Sequence, residues 1–221
     1  MNVHSDCTPL ISVQCQGQGV GEEVLEKRTA VQHESVAQQR IVAAARRLFA
    51  DRGFHQTAMA DLAKEANVSV GAIYRSYASK SDIILAIVIA DSEEMLRNLQ
   101  DDAERVRKGE VPIETAIEQI VLRRLSDKDE AMTHEILAEA HRNPQVAASI
   151  SDFCVKYREI FGELAKLASP ALTGDELEGA AELLLACLFG LGHRELTRPN
   201  IDEATTAKVT TRLILEALRS H

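Results

Sequence analysis

From Ser35 onward the apolar residues recur at intervals of three and four. Val36, Ile41, Ala44, Ala45, Leu48 and Phe49 fall on one face while Arg46, Arg47 and Arg52 fall on others, which predicts an amphipathic helix stopped by Gly53. Thr57 is placed to cap a second, short helix whose apolar stripe is Met59, Leu62, Ala63 and Ala66. Asn67 follows as a turn residue that tolerates the left-handed conformation. Ser69 then caps a third helix, with Val70, Gly71 and Ala72 in its first turn and Tyr74 near its end. Ser79 with Asp82 matches the S-x-x-D capping pattern and opens a long fourth helix running past Leu96 towards Arg107. Read alone, the apolar run 83–90 fits a buried strand, but the cap before it and the spacing of Met95, Leu96 and Leu99 after it favour helix.

Beyond Gly109 the helical period continues through 112–125, 130–142, 146–168, 176–196 and 202–219, with no segment alternating at period two and no internal repeat. The predicted fold class is all-α. Residues 1–34 include QCQGQGVG and lack apolar periodicity, so they read as a flexible N-terminal arm. Two units are expected after it, 35–95 and 96–221.

Composition supports a globular chain: 221 residues, 45% apolar, 27% charged, with only 11 Gly and 5 Pro. The formal charge of −9 speaks against a phosphate-rich partner, yet it is unevenly spread. Residues 35–90 hold seven Lys/Arg against four acids, a balance of +3 that leaves −12 for the remainder. Cys7, Cys15, Cys154 and Cys187 form no C-x-x-C pair, so neither a zinc site nor a compact disulfide framework is expected, and nothing calls for a cofactor. The longest apolar run is eight residues, against roughly 20 for a membrane helix, and no secretory leader is apparent. A cytoplasmic protein without a membrane partner is the expectation.

The chemistry concentrates in NVSVGAIYRSYASK, residues 67–80. Two short helices joined by a tight turn, the second beginning with small residues and continuing with long polar ones, read as a helix-turn-helix at about 58–77. Gly71 and Ala72 let the helix approach a DNA backbone closely. Tyr74, Arg75 and Tyr77 follow within reach of bases or phosphates, although Tyr77 fits a core position better. Lys80 opens the next helix, where its ammonium and the helix dipole both attract phosphate. Arg75 is the candidate for direct readout, since a guanidinium grips O6 and N7 of guanine, while a phosphate contact suits it nearly as well.

Residues 40–88 closely resemble the DNA-binding domain of TetR/AcrR-type transcriptional repressors. The matching elements run in order from Leu48-Phe49 and Gly53-Phe54 through Thr57, Leu62-Ala63, Val68-Ser69, Gly71 and Ile73-Tyr74 to Tyr77 and Ser79-Lys80. The resemblance implies a homodimer placing paired recognition helices in successive major grooves of a near-palindromic double-stranded DNA operator. It assigns Ser69, Gly71, Tyr74 and Lys80 to the phosphate backbone, and Val70, Ala72 and Arg75 to base edges. Three positions depart from the family pattern: Asn67 for a frequent glycine, Tyr77 for a frequent phenylalanine, and Ala58 for a second hydroxyl residue, which leaves Thr57 as the capping candidate and as a candidate DNA contact.

For residues 96–221 the resemblance implies a helical domain for a small-molecule effector and for dimerisation. Leu183, Leu184, Leu188 and Leu191 on one late helix and Val209, Leu213, Ala217 and Leu218 on the last are the candidate dimer face, or intrachain core. Candidate effector contacts are His134, Phe153, Tyr157, Phe161 and Phe189, whose aromatic spacing fits core packing as well. Glu135 and Glu139 share a helix face, which admits a metal or acid-base site but fits a solvated face better. A thiol-dependent protein using Cys154 or Cys187 is the rival function, with no activating base visible beside either cysteine.

Overall fold

The computed structural model describes residues 19–126, 130–194 and 200–220. Among them the chain forms nine helices: α1 (Gly19–Arg52), α2 (Met59–Ala66), α3 (Val70–Ser76), α4 (Lys80–Arg107), α5 (Ile113–Leu125), α6 (Glu130–Ala140), α7 (Pro144–Ala168), α8 (Gly174–Leu191) and α9 (Glu203–Arg219). The all-α expectation holds.

The start of α1 differs from the expected one. The helix begins at Gly19, inside the stretch read as an arm, because 22–34 carries four Glu with single Leu, Lys, Arg, Ala and Gln residues, types that propagate a helix once a stable nucleus follows. Residues 1–18 of that arm lie outside the described residues. Other caps follow the sequence closely. Ser69 Oγ accepts the Ala72 N–H, Ser79 and Asp82 exchange side-chain-to-backbone bonds across the first turn of α4, and Asp202 Oδ1 accepts the Thr205 N–H at the start of α9.

Two hydrophobic clusters divide the helices. The first gathers Ile41, Leu48 and Phe49 of α1, Leu62 of α2, Ile73 of α3 and Ile84 of α4, all buried. It is completed from further along the chain by Met132 of α6, 1% exposed, and Val146 of α7, 0% exposed. The second cluster joins Leu99 of α4 to α5, α7, α8 and α9. One continuous helix, α4, therefore serves both: its residues up to Val88 pack in the first cluster and those from Leu96 in the second.

Truncating Met132 to alanine removes a side chain that the first cluster closes around. Met132→Ala is expected to destabilise the protein by about 2–5 kcal/mol. Chemical denaturation followed by circular dichroism measures this, and a loss under about 1 kcal/mol would show that the α1–α4 cluster stands without α6.

Candidate nucleic-acid interface and adjoining cavity

The turn between α2 and α3 is held by backbone chemistry. Asn67 takes the left-handed conformation at φ 52°, which lets the Asn67 and Val68 N–H groups return to the Lys64 and Ala63 carbonyls. Arg40 of α1 donates to the Asn67 carbonyl at 2.9 Å, so the turn is tied to the first helix. From this base α3 buries only Ile73. Ser69, Val70, Gly71, Tyr74 and Arg75 all face outward, with Tyr74 54% exposed, while Ala72 is half-buried.

Three sequence-predicted residues sit differently from that face. Thr57 is 1% exposed, and its hydroxyl donates to the Gly53 carbonyl at 3.0 Å. It closes the end of α1 and does not cap α2. The cap position belongs to Ala58, whose N–H is accepted by the Asp61 carboxylate at 3.1 Å because alanine has no oxygen of its own. Tyr77 is half-buried against the first cluster, and burial pushes its phenol pKa up, keeping it neutral at physiological pH. Lys80 Nζ donates to the carbonyls of Phe54 at 2.6 Å and His55 at 3.3 Å, and lies 4.7 Å from the centre of the Phe54 ring. An ammonium carries three donors, so these carbonyls use two of them.

A cavity of about 810 Å³ lies where α1 and α4 meet α5, α6, α7 and α8. Of the candidate effector contacts, Phe153, Tyr157 and Phe189 line it. Phe161 does not, being 1% exposed in the second cluster, where its position on α7 turns it inward. His134 also stays off the wall, its ring packed edge-on against His193 at 4.8 Å. The polar lining was not legible in the sequence: Arg46 pairs with Asp91, Arg123 with the buried Asp102, and Arg124 Nε donates to the Leu188 carbonyl at 3.2 Å. Arg124 lies so close over Gly192 that any side chain there would collide with it.

Comparison with known proteins bears on the helix-turn-helix first. Residues 41–87 match the family described as bacterial regulatory proteins of the tetR family. The HTH-type transcriptional regulator UidR of Escherichia coli K12 is 33% identical over 113 residues, covering 51% of this chain and 56% of UidR, so the match spans only about half of that relative. The structure of Salmonella enterica GusR superposes with a TM-score of 0.62 at 26% identity, covering 81% of this chain and 95% of GusR. A tetR-family regulatory protein from Rhodococcus RHA1 superposes with a TM-score of 0.64 at 19% identity over 83% and 97% of the two chains, which speaks for the fold alone. Residues 41–87 thus carry a tetR-family helix-turn-helix domain, and the chain shares its fold with tetR-family structures.

Within the matched segment the helix-turn-helix occupies the place that the capping pattern indicated, with α2 and α3 joined at Asn67. The thiol-dependent alternative gains nothing from the geometry. Burial pushes the Cys154 thiol up, with Arg158 opposing and Glu182 adding to the shift, and burial alone raises Cys187. Neither is an activated nucleophile at neutral pH. Glu135 and Glu139 do not form a metal or acid-base pair on a solvated face, because each is engaged by the DNA-binding half: Glu135 accepts the Phe54 N–H, and the 6%-exposed Glu139 accepts the Ser81 hydroxyl. Among the described residues no group of three or more His, Cys, Asp or Glu side chains is placed to hold a metal, and no helix is long and apolar enough to cross a membrane.

Because Thr57 supports the end of α1 from inside, Thr57→Val is expected to cost about 1–3 kcal/mol, the penalty for leaving the Gly53 carbonyl short of a partner. The slope of DNA binding against salt is expected to stay unchanged, since no phosphate contact is removed. A salt slope lower by about one in Thr57→Val, measured by anisotropy, would instead assign the hydroxyl to phosphate.

Proposed function

We propose that this protein is an effector-controlled transcriptional repressor that binds a near-palindromic operator as a homodimer in the cytoplasm. The observation that carries the DNA-binding part is the outward face of α3. A β-carbon added at Gly71 would meet nothing closer than Ser69 Oγ at 4.0 Å, so the fold itself has no need of glycine there. Glycine in a helix costs about 0.5–1 kcal/mol relative to alanine. Close approach of an external backbone supplies the missing reason. Around it Ser69 and Tyr74 are placed for phosphate oxygens, Arg75 for a guanine edge, and Val70 and Ala72 for apolar contact such as a thymine methyl. Lys80 contributes its third donor to a phosphate while its other two hold the neighbouring turn.

Dimerisation is proposed through α8 and α9. On α9, Val209, Leu213 and Ala217 recur at every fourth residue and are exposed; on α8, Gly179, Leu183, Ala186 and Gly190 form an exposed row of small residues and one leucine. Such rows let two helices pack closely. Leu184, Leu188 and Leu218 belong to the intrachain core instead. The cavity, walled by both clusters, is the proposed effector site. An occupant preferring a conformation with different spacing of the paired α3 helices would draw population from the DNA-competent state, in proportion to its differential affinity.

The interface is tested by anisotropy with the protein's own upstream DNA against a scrambled duplex. Gly71→Ala is expected to raise folding stability by about 0.5–1 kcal/mol yet to weaken specific binding by about tenfold. Unchanged affinity would mean that α3 does not approach a backbone there. Sedimentation checks the dimer: Leu213→Arg is expected to give monomers that lose operator affinity, whereas a variant that remains dimeric would remove α9 from the interface.

A further inference from the structure

The charges on the cavity wall are unequal in number. Three arginines, Arg46, Arg123 and Arg124, line it against two acids, Asp91 and Glu94, so the wall itself leans positive. Asp91 is drawn into its pair with Arg46, and Glu94 is exposed to solvent. Behind the wall, the buried Asp102 is shared between Arg123 and Arg105, so one carboxylate serves two guanidiniums. The other ionisable wall groups add no negative charge. Burial pushes the Tyr157 phenol and the Cys154 thiol up, which keeps both neutral at physiological pH. A cavity with low-dielectric walls and an excess of one sign favours an occupant of the other. Lys156 points the same way: its ammonium lies 4.9 Å from the centre of the Phe153 ring, where it takes the place that a ligand cation would seek.

Of the three arginines, Arg124 has a seat made for it. The Leu188 carbonyl in the last turn of α8 accepts both Arg124 Nε and the Gly192 N–H, each at 3.2 Å. Gly192 stands at φ −66° and ψ −12°, a right-handed conformation that any residue adopts, so the backbone gives no reason for glycine. The arginine gives one. A β-carbon at 192 would overlap Nη2, Cζ and Nε of the guanidinium, so the missing methyl group is what leaves room for it. With Nε turned to the carbonyl, the edge formed by the two terminal nitrogens is the one shaped for a carboxylate. The wall from α6 and α7 is largely apolar, with Ile136, Leu137, Ile150, Phe153 and Tyr157, and it suits a ring.

We propose that the cavity takes an organic anion with a ring-bearing apolar body, that Arg124 meets its carboxylate or other oxyanion, and that Gly192 sets this specificity by keeping the guanidinium in reach. This rests on the reading of the cavity as the effector site. Its volume of about 810 Å³ accommodates a molecule of that kind.

Calorimetry on the full chain with three probes of one shape separates charge from apolar burial. Naphthylacetate, naphthylethanol and naphthylethylamine carry an anion, a neutral hydroxyl and a cation on the same ring system. The wild type is expected to bind the acid about tenfold tighter than the alcohol, and the amine more weakly than either. In Arg124→Gln, which removes the charge and keeps an amide donor, the acid is expected to bind no better than the alcohol, whose own affinity changes by less than about twofold. Gly192→Ala reaches the same end without altering the arginine. Alanine favours the helix, so the fold is kept, while the displaced guanidinium is expected to cost the acid about fivefold and to spare the alcohol. Circular dichroism melts check that both variants are folded. Equal binding of acid and alcohol by the wild type, tightest binding of the amine, or an acid preference that survives Arg124→Gln overturns the proposal and leaves the cavity standing as a site. An acid preference unchanged in Gly192→Ala overturns the role given to Gly192. Binding of none of the three probes removes the cavity reading and the proposal together.

Discussion

The closure of the DNA-binding core by α6 is the constraint on which the structure depends. The first four helices from Val36 onward are a small unit, and small units bury too little of their surface to be independently robust. Met132 and Val146, contributed from beyond residue 130, fill the remaining gap and are themselves buried. The unit that presents α3 is therefore not self-contained. Any motion of α6 is felt in the packing beneath α1 and α4.

That dependence places the cavity where it has leverage. Its walls include Arg46 of α1 and Asp91 of α4 on one side and α5, α7 and α8 on the other. Ion pairs stiffen this junction: Arg46 with Asp91 between α1 and α4, and Arg123 with Asp102 between α5 and α4. Meanwhile α4 runs unbroken from Lys80 beside the recognition helix to Arg107 in the second cluster. A seven-residue α3 resting on the single buried side chain of Ile73 has little rigidity of its own. Its orientation is inherited from the Arg40 bond to the Asn67 carbonyl and from the Lys80 bonds to the Phe54 turn.

How much of this was legible follows from the range of each interaction. Caps and turns are local, so Ser69, Asn67, Ser79 and Asp82 could be placed from sequence alone, and with them the helix-turn-helix. Thr57 differs from its expected capping role because two hydroxyl-acceptor geometries compete at a helix boundary, and the choice depends on Asp61 serving Ala58 from within α2. The carboxylates of Glu135 and Glu139 looked like a solvated face because their partners are 81 and 58 residues away. No periodicity reports such distances. Phe153, Tyr157 and Phe189 were found as cavity residues and Phe161 was not separated from them, since helical spacing alone does not distinguish a wall from a core.

On the proposed function, two copies of α3, each held by its own DNA-binding core, read DNA together. Footprinting of the upstream region measures this most directly. Two protected segments are expected on a near-palindrome, with centres one helical turn apart, about 10–10.5 base pairs, or a multiple of it. A single protected segment without symmetry, or protection indifferent to sequence, would contradict it.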